Sequence, residues 1–124
     1  MSAGTWVLFL LAVGVGASAR YVVDRLVSEA VGGEFHWGTA LINVSGSFVL
    51  GLLTGLGLYH GFSNDARLVL GTGFCGAYTT FSTFSFETVR LVERGHARTA
   101  TLNVVLSTGI GLAAATAGLA LAAR

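Results

Sequence analysis

Phe81 and Phe84 stand three residues apart, interleaved with Ser82, Thr83 and Ser85, in the stretch G-T-G-F-C-G-A-Y-T-T-F-S-T-F-S-F-E that runs from Gly71 to Glu87. On a helix the two rings share a face, and Ser85 and Thr88 fall on or near it. Aromatic ring edges carry partial positive charge and hydroxyls donate hydrogen bonds. Such a surface could therefore replace the water of an anion as it sheds its hydration. The competing reading is core packing, with each Ser or Thr bonded back to its own helix. The close alternation of the two residue types within six residues is what raises the chemical reading beside it.

Upstream of the rings, Gly71, Gly73 and Gly76 lead into Ala77, Tyr78, Thr79 and Thr80. Glycine adds backbone freedom and threonine can bond to the local backbone, so a helix break is expected around Gly76 to Thr80. Irregular backbone at membrane depth is tolerated only where it is buried in protein or lines a cavity. Carbonyls freed there could hold a cation, and the helix restarting beyond them would present its positive N-terminal end.

The elements that must carry this stretch follow from composition. With 53% hydrophobic and 10% charged residues in 124, the chain is too apolar for an ordinary soluble domain of its size. Charges are grouped: Asp24, Arg25, Glu29 and Glu34; Asp65 and Arg67; and those from Glu87 to Arg98. Between the groups lie four stretches near the ~20 residues that cross the hydrocarbon as a helix. The expectation is one all-α membrane domain with four transmembrane helices over about 4–27, 37–60, 66–91 and 98–123, the third broken mid-membrane. The first stretch has no Lys or Arg before Arg20, so it reads as a span and not as a signal peptide. Cys75 is the single cysteine, which excludes an intrachain disulfide and reads as a packing residue. All seven basic residues are Arg; across four spans five fall on one face and Arg67 and Arg124 on the other. That bias becomes four against two if Arg20 is inside the protein, weak enough for mixed orientation.

Three further positions hold polar groups at membrane depth. Arg20 follows the small residues Gly14, Gly16, Ala17, Ser18 and Ala19; it either serves function, pairs with Asp24 at i,i+4, or snorkels to the interface. In the second span Asn43, Ser47, Gly51 and Gly55 recur every four residues. The two glycines read as a close helix contact. An amide at Asn43 must find partners, so it glues helices together or lines a wet path. The fourth span repeats the device with Thr99, Asn103, Ser107, Gly111 and Ala115.

At these residues the chain resembles the Fluc (CrcB) fluoride channel family. The resemblance rests on G-V-G-A-S-A-R-Y ending at Tyr21, G-T-A-L-I-N-V-S-G-S-F-V-L-G from Gly38 to Gly51, and G-F-C-G-A-Y-T-T-F-S-T-F-S-F-E from Gly73 to Glu87. It covers nearly the whole chain. It implies an antiparallel, dual-topology homodimer with two pores and one central structural sodium ion, passing fluoride out of the cytoplasm across the cell membrane. By motif, Phe81 and Phe84 match the fluoride-lining rings, Asn43 the second-span asparagine and Arg20 the first-span arginine. Ser82, Thr83 and Ser85 fall in the hydroxyl track, Ser107 at the fourth-span polar position. Gly76 and Thr79 match the carbonyls that hold sodium. Ala77 departs from a frequent glycine and Asn103 from a frequent tyrosine.

An alternative with the same number of spans is a small multidrug-type, proton-coupled exporter. It needs an acid near the midplane, and the nearest, Glu87, sits at the end of its span. Enzymatic catalysis finds no constellation: His36, His60 and His96 occupy separate loops or span ends without metal spacing. No partner of nucleic-acid type is expected.

Overall fold

Each apolar stretch meets a polar or glycine boundary that ends it, and the computed structural model, which describes residues 1–33 and 35–124, is all-helical. Glu34, one of the acids grouped in the first loop, lies outside the described residues. The first helix, α1 (Ala3–Ala30), is capped by Ser2, whose Oγ accepts from the Thr5 N–H at 3.1 Å. Next come α2 (Trp37–Tyr59), α3 (Asn64–Arg67), a π-helical segment (Leu68–Cys75), α4 (Gly76–Tyr78), α5 (Ser82–Glu93) and α6 (Ala97–Ala122). Gly95, at φ 82°, makes the tight turn from α5 into α6.

α1, α2 and α6 are long and apolar enough to cross a membrane. Their outward apolar side chains stay open, with Leu10 at 65% and Leu112 at 66% exposure, as suits helices that meet lipid.

The most extensive helix pairing joins α2 to α6. It is close because both sides give up side chains. A Cβ added at Gly51 would strike the Ala115 carbonyl, one at Gly118 would strike the Phe48 carbonyl, and one at Gly55 would lie 2.6 Å from Ala122 Cβ. The four-residue row on α2 thus serves as a helix contact in its lower half, as small-residue packing in membranes requires.

Between Asn64 and Glu93 the backbone is not one continuous helix. Ser63 caps α3, its Oγ accepting from Ala66 N–H at 3.3 Å. The chain then widens into the π-helical segment, closed by i→i+5 bonds. Gly73 lies there against Phe9 and Ala12 of α1, and Gly16 of α1 lies against the Phe74 carbonyl with no room for a Cβ. The glycines therefore serve the wide turn and its seat on α1. Gly76 itself is helical at φ −62°, ψ −36°, and the chain leaves the helix only at Thr79, extended at φ −79°, ψ 160°. The departure comes at the threonines, later than glycine content alone suggests.

Gly51→Leu is expected to force α2 and α6 apart and to cost about 1–3 kcal/mol, the usual range for overpacking. Gly109→Ala, where the Cβ would meet nothing within 4 Å, should leave stability unchanged or slightly raised. Thermal unfolding of the two variants in detergent measures the contrast.

Candidate functional site

Where the chain leaves α4, two peptide groups lose their helical partners, and a side chain from α2 replaces them. Asn43 Nδ2 donates to the Thr80 carbonyl at 2.9 Å, and the Thr80 N–H donates to Asn43 Oδ1 at 2.9 Å. The side-chain amide copies the donor and acceptor of a peptide, so it clamps the Thr80 backbone as a neighbouring strand would. Asn43 is thus engaged through both ends of its amide. In a continuous helix the Thr80 N–H would go to the Gly76 carbonyl; here it is diverted to Asn43.

The residues on either side are fixed in turn. Thr79 sends both its N–H (2.9 Å) and its hydroxyl (2.8 Å) to the Cys75 carbonyl, and its methyl occupies the space a side chain at Gly46 would need. Tyr78 stacks on Phe74 at 5.6 Å between centroids, and its hydroxyl is 3.0 Å from Ser45 Oγ on α2. Thr80, buried at 8% exposure, accepts from the Thr83 N–H at 3.2 Å and donates to Thr83 Oγ1 at 3.1 Å. It therefore caps the start of α5. Ser82 Oγ lies 3.4 Å from the same hydroxyl.

Phe81 is 79% exposed, and its ring is tilted at 46° to that of Phe84, with centroids 6.2 Å apart. Both rings border a cavity of about 420 Å³ whose wall also includes Asn43, Ser47, Gly76, Thr79 and Thr80. The interruption, the two rings and the second-span asparagine therefore meet at one place.

The other expected site residues divide between two neighbouring groups. Arg20, half-buried, lines a separate cavity of about 160 Å³ with Asp24, Thr39, Thr80 and Thr83. The two cavities share Thr80. Arg20 makes no ion pair with Asp24 or any other described residue, whereas Arg25 pairs with Glu29 at 3.0 Å on the exposed side. Ser107 belongs to a chain that links α6 to α5: its Oγ donates to Asn103 Oδ1 at 3.2 Å, and Asn103 Nδ2 donates to Thr88 Oγ1 at 2.9 Å. Asn103 is 97% removed from solvent, with 3% exposure. Ser85 is half-buried on α5, one turn from Phe81.

Two features escaped the sequence reading. Thr80 carries the clamp and the cap; the signal for the cap was the Thr80-Phe81-Ser82-Thr83 spacing. His36 and Glu87, read as separate span ends, come together at 3.0 Å between Nδ1 and Oε2. No spacing within one helix could have paired them. Among the described residues no cluster of His, Cys, Asp or Glu could hold a metal, and His60 is turned away toward the Ala122 carbonyl, 2.6 Å from its Nε2.

Comparison with known proteins bears on this arrangement. The family described as CrcB-like protein, Camphor Resistance (CrcB), matches residues 7–119. The chain belongs to the CrcB family. Its relatives include the Streptomyces avermitilis protein named Fluoride-specific ion channel FluC 1, 50% identical over 113 residues and covering 91% of each chain. A protein of the same name from Symbiobacterium thermophilum is 46% identical over 119 residues, covering 94% of this chain and 96% of its own. Fluoride-specific ion channel FluC 2 of Mycobacterium tuberculosis is 42% identical over 118 residues, covering 95% and 90%.

Because Asn43 replaces two lost backbone partners, Asn43→Ala is expected to leave the Thr80 peptide unsatisfied and to lower stability by about 1–3 kcal/mol. Thermal unfolding of the detergent-solubilised protein checks it, with Ser47→Ala, whose hydroxyl only bonds back to the Asn43 carbonyl at 2.7 Å, as the mild control.

Proposed function

We propose that this chain is a fluoride-selective channel of the cell membrane that lets cytoplasmic fluoride leave passively. It is a channel rather than an enzyme. The observation that carries the reading is the meeting of Phe81 and Phe84 with the clamped Thr80 backbone at the rim of one cavity. The relatives named fluoride-specific ion channels support the choice of ion. In the proposed mechanism, fluoride exchanges its water for ring edges and for hydroxyls of Ser82, Thr83, Ser85 and Ser107. Arg20 contributes positive potential beside that path. Asn43 acts chiefly by holding the backbone, with its second amide hydrogen left to face the ion.

The finer proposal is a homodimer of oppositely inserted copies, with two pores and one central sodium. A phenylalanine as open as Phe81 gains from burial against a second copy, and the weak arginine asymmetry suits insertion in both orientations. The third stretch is then a membrane span whose helix is interrupted at Thr79–Phe81. Its donor set fits sodium, because the Gly76 carbonyl is released from Thr80 and Thr79 is extended; backbone carbonyls are the ligands such ions take in membranes. Gly76 and Thr79 would hold the ion, which supplies fixed positive charge near the anion path when bound. The exporter reading gains no support, since Glu87, an acid on α5, is engaged by His36.

Fluoride efflux from liposomes tests the reading. Phe81→Ile and Phe84→Ile are each expected to slow efflux about tenfold, the equivalent of about 1.4 kcal/mol of lost anion stabilisation. Chloride should not follow in the wild type. Wild-type rates in both variants would remove the phenylalanines from the path, and equal chloride and fluoride rates would remove the selectivity.

A further inference from the structure

Glu87 lies one turn beyond Phe84 on α5, next to Thr88, whose hydroxyl joins the Asn103–Ser107 chain. Its side chain is 13% exposed, and its Oε1 is buried without a hydrogen-bond partner. Oε2 faces His36 Nδ1 at 3.0 Å, and the His36 side chain, 41% exposed, reaches water. A carboxylate so placed opposes the approach of any anion that passes Phe84. Thr39 on α2 offers its hydroxyl to the same carboxylate as a hydrogen-bond donor, and Asp24 on α1 adds to the negative potential there. No arginine is paired with Glu87 among the described residues. Arg20 lines the neighbouring cavity with Asp24, and Arg98, in the first turn of α6, is exposed. Among the described residues, His36 is the ionisable base in contact with Glu87.

Resting on the fluoride-channel reading, we propose that His36 is a positioning and charge-compensating residue at the Glu87 end of the path, and that its protonation sets the fluoride rate. Imidazole is the side chain type whose charge turns over near neutrality. A protonated His36 makes the pair neutral as a whole; a neutral His36 leaves one negative charge beside the path. Fluoride flux therefore rises as pH falls. A pair serving structure alone would tie the start of α2 to α5 and would leave the flux profile level.

Fluoride currents through purified protein in planar bilayers, with identical solutions on both sides, separate these cases, because neutral hydrogen fluoride carries no current. The wild-type current is expected to fall about fivefold between about pH 6 and about pH 8.5, the scale of one partly screened charge. His36→Gln should give a low, level profile and His36→Arg a high, level one. Glu87→Gln should raise the current across the range and keep a slope, since it removes the negative charge while His36 still gains and loses its own beside the path. A level wild-type profile, or a wild-type slope retained in His36→Gln and His36→Arg, overturns the inference while fluoride current in the wild type keeps the channel reading. Absence of fluoride current at every pH overturns both.

Discussion

A peptide group that leaves a helix and is buried in protein loses its helical partner and water together, and leaving it unpaired costs about 1–3 kcal/mol. The Asn43–Thr80 contact answers that constraint directly, with two 2.9 Å bonds to the two groups that the departure at Thr79 strands. Everything distinctive about the site depends on it. With the Thr80 backbone held by α2, the Thr80 hydroxyl is left to cap α5, and the capped helix sets Phe81 and Phe84 on the cavity rim. The same diversion releases the Gly76 carbonyl. One amide therefore accounts for both the loss of regular backbone and its tolerance.

Much of this was legible in the residues. Alternating Phe and Ser/Thr marked the rings, and an amide within an apolar span marked Asn43 as needing partners. The four-residue row marked a close helix contact, which Gly51 and Gly55 make against Ala115 and Ala122 of α6. What stayed hidden was pairing across elements. Nothing local to Asn43 names Thr80, and nothing local to Asn103 names Thr88, because those distances are set by helix packing. The position of the helix departure was also only approximate. Glycine content drew attention to Gly76, yet glycines without opposing strain remain helical when packing favours it, and Gly71 and Gly73 are buried in a π-helical turn.

The polar side chains around α5 fall into two sets that face different neighbours. Thr88 is joined to α6 through Asn103, while Thr83 and Glu87 face α1 and α2 with Arg20, Asp24, Thr39 and His36. The Asn103 amide suits that division, since it orders two hydroxyls, on Thr88 and Ser107, through neutral hydrogen bonds.

The row Asn43, Ser47, Gly51, Gly55 has a geometric consequence of its own. At 3.6 residues per turn, a step of four overshoots a full turn by about 40°, so three steps carry the row about 120° around the helix. It is a spiral, not a stripe. Its first member points to the Thr80 backbone, and its later members point to Ala115 and Ala122 of α6. A single sequence period, through its mismatch with the helical pitch, thus addresses two different neighbours in succession. The helix α2 acts as a dial: inserting one residue between Asn43 and Gly51 would turn the amide by about 100° relative to the glycines and separate the two addresses.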